Sequence, residues 1–159
     1  MPESEISEEL VAAYRSTDYR IESSIESGCD AFILHVDLHS EPLARLFAAS
    51  GHRCAAFITA CNPFSLPQSP EANLAACARL RDRLDRQLRR RATQVTQPAQ
   101  AHQIIEGTGC DPSGVWPAEK SFLALGLDLE VSQAIGREFG QNAIIWCGPD
   151  AIPKLFLLR

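Results

Sequence analysis

Three stretches set polar, chemically competent side chains inside apolar sequence: Thr59-Ala60-Cys61-Asn62-Pro63-Phe64-Ser65, Trp116-Pro117-Ala118-Glu119-Lys120-Ser121 and Gly140-Gln141-Asn142. The first follows an apolar run and precedes a long amphipathic pattern, a strand-to-helix corner of the kind where α/β proteins place ligands. Thr59, Asn62 and Ser65 would stand ahead of a helix N-terminus whose free N–H groups and dipole favour a phosphate, carboxylate or amide. Asn73 falls one turn into that helix. The plainer alternative is that Asn62 bonds its own loop while Pro63 and Ser65 shape the turn. Glu119 is the strongest acid–base candidate, because burial against the Trp116 indole would raise its carboxyl pKa. The competing role for Glu119 is a surface pair beside Lys120. Ser121 has no histidine near it in sequence, so it is read as a ligand contact and not as a nucleophile. The amides of Gln141 and Asn142 offer donors and acceptors to a nucleobase or an amide, or equally to the exposed end of a helix.

Other constellations carry less. His35, Asp37 and His39 would share one strand face with a metal-like spacing, but polar side chains on a strand-to-loop exit explain them more simply. Arg79 to Arg91 holds seven arginines against Asp82 and Asp85, a local charge of +5 that suits phosphates or an acidic partner. No aromatic residue interleaves there to stack on bases, so a solvated helix face is favoured. The six cysteines form no Cys-x-x-Cys pair and mostly sit in apolar context, where a reduced thiol behaves as a small buried hydrophobe. With no metal or dinucleotide motif in view, cofactor-free chemistry is expected.

The elements that must position these groups follow from periodicity. Ser7 to about Tyr14 opens a short helix with acids in its first turn. Tyr19 to Ile25 is taken as an edge strand. Ala31–Val36 and Cys54–Thr59 are continuously apolar and read as buried strands, joined by a helix from Glu41 to Ser50 between Ser40 and Gly51. That β-α-β unit should be parallel and right-handed. Ser69 and Pro70 start a helix to about Arg90 that should bury Leu74, Cys77, Leu80, Leu84 and Leu88. His102–Glu106 reads as a strand, Gly107–Gly114 as a turn-rich connection, and Ser121–Leu125 as a third good strand. Asp128 caps a helix turning Val131, Ala134, Ile135 and Phe139 inward. Ala143–Trp146 and Leu155–Leu158 flank Gly148-Pro149-Asp150 as a closing hairpin.

With these residues placed, the chain resembles a bacterial family, the domain-of-unknown-function 3293 family. The resemblance rests on Phe57 to Ser65, Asn73, Trp116 to Leu123 and Phe139 to Ile144, blocks that run in the family's order. It implies small bacterial proteins of one domain, groups the three blocks as one site and supplies no reaction.

The expectation is one α/β or α+β domain over 1–159: a mixed sheet of about five or six strands, three main helices, a parallel centre and an antiparallel C-terminal edge. Residues 1–6 are expected to be disordered and 92–101 a mobile loop. At 159 residues such a domain buries roughly 68–70% of its unfolded surface without a disulfide or metal. The acidic start lacks a signal-peptide pattern and no apolar run nears bilayer length, so a cytoplasmic protein with no membrane partner is expected. A net charge of −5 argues against general nucleic-acid binding. The first functional reading is a small-molecule pocket for a nucleotide-like or amide-bearing metabolite, as in a metal-independent hydrolase or transferase. Glu119 would exchange the proton; Thr59, Asn62, Ser65, Asn73, Ser121, Gln141 and Asn142 would orient the ligand; Trp116 would wall it. The second is a non-enzymatic module engaging an acidic protein or nucleic acid through the arginine-rich helix.

Overall fold

A computed structural model describes residues 6–25, 28–92 and 103–159. Seven strands form one sheet among these residues: β1 (Asp18–Ile21), β2 (Phe32–Leu34), β3 (Ala55–Thr59), β4 (Ile104–Cys110), β5 (Glu119–Leu125), β6 (Ala143–Cys147) and β7 (Pro153–Leu157). Four α-helices accompany them: α1 (Glu8–Ser16), α2 (Glu41–Ser50), α3 (Pro70–Ala92) and α4 (Leu129–Glu138). The expected loop over 92–101 lies outside the described residues except at Ala92. Of the expected disordered start only Ile6 is described, and it is buried.

The strand order is β2-β1-β4-β5-β3-β6-β7, and every neighbouring pair is antiparallel. The fold is therefore mixed α+β in one domain, and the expected five or six strands with a parallel centre are corrected. The two apolar strands read as a β-α-β unit, β2 and β3, do point the same way. Three strands nevertheless stand between them. Continuous apolarity marks a strand covered on both faces, whatever its neighbours' direction. Here α2 covers one face, packing Leu43, Leu46 and Phe47 on Tyr19, Leu34, Phe57 and Leu123. α3 and α4 cover the other, packing Cys77, Leu80, Leu84 and Ile135 on Ile58, Phe122 and Ile144.

Helix boundaries follow the expected capping. Ser40 Oγ accepts from Leu43 N at 3.2 Å, Gly51 ends α2 at φ 79°, and Asp128 caps α4 from Val131 N at 2.9 Å. The C-terminal hairpin β6–β7 forms at the sheet edge as expected. Four local expectations need correction. Leu74 is 65% exposed, because the buried stripe of α3 starts at Ala76 and Cys77 and the first turn overhangs the sheet. On α4, Ala134 is exposed, while Ser132 and Gly136 take inward places beside Ile135. β1 is an interior strand between β2 and β4, and β4 runs on through Gly107 to Cys110 where a turn was expected.

Gly107 is in that strand because nothing larger fits. A Cβ there would lie 2.5 Å from the Arg20 carbonyl oxygen and 2.8 Å from the Phe57 ring. The missing side chain lets Phe57 lie over β4, edge-on to Tyr19 at a centroid distance of 5.2 Å. This makes a shallow aromatic depression on the α2 side of the sheet.

Candidate functional site

Sheet register gathers the three polar blocks at one rim. Thr59 at the end of β3 faces Ser121 near the start of β5, and Glu119 faces Gly109 near the end of β4. Strand alternation then puts Tyr19, Phe57, Thr59, Glu119 and Ser121 on the same face. They border a cavity of about 130 Å³. The residues Leu10, Ala13 and Tyr14 of α1 line one side of it, and Trp116 walls it from the β4–β5 loop.

Of the residues singled out in sequence, Thr59, Asn62, Ser65, Trp116, Glu119, Ser121 and Gln141 line this cavity. Asn73 and Asn142 stand immediately behind it as supports. Asn73 Oδ1 accepts from Asn62 N at 2.9 Å, and its Nδ2 donates to Asn62 Oδ1 at 3.0 Å. Asn142 Nδ2 donates to Ser65 Oγ at 2.8 Å. Gln141 Nε2 donates to the Cys61 carbonyl at 3.1 Å, tying the third block to the first. Thr59 Oγ1 donates to the Lys120 carbonyl at 2.7 Å and accepts from Cys61 N at 3.1 Å, while Ser121 Oγ donates to the Glu119 carbonyl at 3.0 Å.

The corner itself is an unusual run of backbone. Asn62, Phe64 and Ser65 all have left-handed φ, at 45°, 59° and 60°. Asparagine tolerates that region better than other non-glycine residues, which gives Asn62 a backbone reason to be here. Phe64 N donates to the Gly140 carbonyl at 2.7 Å, and a Cβ on Gly140 would approach Pro63 to 3.0 Å. The Phe-Gly-Gln-Asn block is thus shaped to receive the corner.

At the centre, Asn62 Nδ2 donates to Glu119 Oε2 at 2.9 Å. Burial pushes the Glu119 carboxyl up to about 7, outweighing the opposing Asn62 hydrogen bond, and charge on Cys61 adds to the rise. Near neutrality the carboxyl exists in both forms, as general acid and general base require. Burial also raises the phenol of Tyr19, whose hydroxyl donates to the Tyr14 carbonyl at 2.6 Å. Tyr19 is therefore a neutral wall.

Several contributors carry no sequence signal of the kind used above. Tyr14 Oη lies 3.4 Å from Ser65 Oγ and brings α1 to the rim. Asp111 positions the tryptophan loop: its carboxylate accepts from Trp116 N at 2.9 Å and from Ser113 N at 2.9 Å. Those backbone and side-chain donors hold its pKa below the ordinary carboxylate value. Cys61 lines the cavity and touches Cys77 across the corner, a pairing visible in retrospect because Cys77 sits one turn beyond Asn73.

The other constellations lie elsewhere. His35 Nε2 meets Asp18 Oδ1 at 2.8 Å, and Asp37 meets Arg15 at 2.9 Å, so two of the three strand-exit residues are taken up by separate partners. Arg79, Arg83 and Arg86 join Arg137 along an open groove on the α3 side, with Asp82 and Glu138 among them. Arg83 Nε binds Glu138 at 3.0 Å, and Arg89 binds Asp85 at 2.9 Å, so part of the local positive charge is paired within the chain. Among the described residues, no helix is long and apolar enough to cross a membrane.

Comparison with curated proteins and with solved structures finds no match. The family model described as "Protein of unknown function (DUF3293)" matches residues 58–144, a span that holds all three polar blocks and leaves out α1. That span is more than half of the 159 residues, and the chain belongs to this family of uncharacterised proteins.

Proposed function

We propose that the rim cavity binds a small polar metabolite with a nucleobase-like or amide group, and that Glu119 exchanges a proton with it in a metal-independent hydrolase or transferase reaction. One observation carries this reading: a buried carboxyl, raised to about 7 and oriented by Asn62, borders an open cavity. Perturbed acids in clefts are where proton-transfer chemistry concentrates. Trp116, Tyr19 and Phe57 supply flat apolar surface for a planar group. Gln141 and Ser65 supply polar atoms at its edge. The cysteines are free thiols, which suits the reducing bacterial cytoplasm proposed as its setting.

The competing reading, an acidic protein or nucleic acid on α3, is favoured only by the arginine groove. Its internal ion pairs weaken it. Native mass spectrometry of protein purified from its own cell separates the two. A bound small molecule should be retained by wild type and by the triple variant R86A/R89A/R90A, and lost in E119Q. Retention by E119Q with loss in the arginine variant would reject the cavity and support the groove. A wild-type protein that carries no molecule, and whose melting temperature no nucleoside or small amide shifts, rejects the cavity as well.

A further inference from the structure

The cavity also borders a pair of thiols that the proposed proton transfer leaves unused. Cys61 follows β3 and lines the cavity, and Cys77 lies two turns into α3. Their Sγ atoms are 3.6 Å apart. Exposures of 5% and 2% screen them from bulk water, so Cys61 is reached by what enters the cavity and Cys77 through Cys61. The corner is fixed at adjacent points: Asn73 holds Asn62, and Cys77 meets Cys61 one helical turn later. The two sulfurs are therefore held in reach of each other by the same bonds that shape the site.

The pair is chemically asymmetric. The two thiols share a hydrogen bond in which either sulfur can be the donor, and with Cys77 donating it favours a thiolate on Cys61 and keeps the proton on Cys77. The Lys120 ammonium favours the same thiolate. A thiolate beside a protonated thiol is the arrangement of an attacking and a resolving cysteine.

We propose that Cys61 and Cys77 form a redox-active dithiol that reduces small hydroperoxides entering the cavity. The Cys61 thiolate attacks the terminal peroxide oxygen. The S–O bond forms as O–O breaks, and the departing oxygen takes a proton to leave as water or an alcohol. Cys61 is oxidised to sulfenic acid as the hydroperoxide gains two electrons. The Cys77 sulfur then attacks Cys61: S–S forms, S–O breaks, and the leaving hydroxide takes the Cys77 proton as water. A small dithiol restores the pair by thiol–disulfide exchange. None of this depends on which metabolite occupies the cavity.

The test exposes the full chain to hydrogen peroxide, quenches with an alkylating reagent, and maps peptides by mass spectrometry. The expected product is a chain about 2 Da lighter with a Cys61–Cys77 cross-linked peptide. It should form at least about ten-fold faster than oxidation of the more exposed Cys29 or Cys110. Cys77→Ser should instead leave a sulfenic acid on Cys61 that a cyclic dione traps, and Cys61→Ser should abolish the fast phase. The wild-type map decides the matter even if a variant folds poorly. If Cys29 and Cys110 oxidise first, while Cys61 and Cys77 still alkylate after unfolding, the dithiol is overturned.

Discussion

The Glu119 carboxyl is held in its unusual state by a mismatch between burial and hydrogen bonding. One amide from Asn62 does not replace the water that a carboxylate loses. Its folded pKa stands near 7 against 4.5 for the free group. Below the lower value both folded and unfolded chains hold the proton, and stability is unaffected. Between the two, the unfolded chain releases it first, so stability falls as pH rises; the loss is complete above about 7. The loss is on the order of 3 kcal/mol. Glu119→Gln keeps an oxygen for Asn62 and carries no charge, so its advantage over wild type should grow by that amount between about pH 4 and pH 8. Urea melts of the two proteins at both pH values check this, and parallel pH dependence would refute the raised pKa. Asn73→Ala removes both partners that Asn73 gives to Asn62 and should cost about 1–3 kcal/mol in the same melts. At this scale much of the site was readable in advance. A carboxylate between a tryptophan and an apolar strand, or an asparagine at a strand exit, is a conflict between residue type and neighbourhood. Cys61 and Cys77 present no such conflict, since buried thiols and buried alanines suit the same apolar context. Their relation exists only once α3 lies against the corner.

At the scale of elements, Gly107 shows how one signal acquires different meanings. Glycines at 107, 109 and 114 read as a turn region, and Gly114 does adopt a left-handed φ of 75°. Gly107, by contrast, is extended backbone squeezed between β1, β5 and the Phe57 ring. Gly107→Ala should therefore destabilise by about 3 kcal/mol, the upper range for overpacking a tight interior. A denaturation midpoint close to that of wild type would show that β1 or Phe57 yields easily. Helix caps, the α3 stripe from Cys77 onward and the final hairpin were legible because each is decided within a few residues. Strand direction was not. Whether β3 pairs with β2 or with β5 and β6 depends on partners dozens of residues away. Its apolar run reports only that helices cover both of its faces.

At the scale of the whole molecule, the sheet and α1 should differ in rigidity. β3 and β5 lie inside the sheet with helices on both faces. The side chains of α1, in contrast, are half-buried at most, and its nine residues are too few to be stable alone. Its attachments to the sheet rim are Tyr14 to Ser65 at 3.4 Å, Tyr19 to the Tyr14 carbonyl at 2.6 Å and Arg15 to Asp37 at 2.9 Å. An exposed ion pair contributes about 1 kcal/mol or less, so local opening of α1 should cost far less than global unfolding. Because Leu10, Ala13 and Tyr14 line the cavity, that opening would widen the way in for a ligand. Hydrogen exchange on the ligand-free protein should find α1 amides exchanging at least ~100-fold faster than those of β3 and β5. With the metabolite bound, α1 should slow markedly, because a ligand resting on its inner face must leave before the helix can lift. Slow exchange in free α1, or exchange there unmoved by a ligand that protects the β3 corner, would mean that the helix is a fixed wall and that entry runs past Trp116 instead.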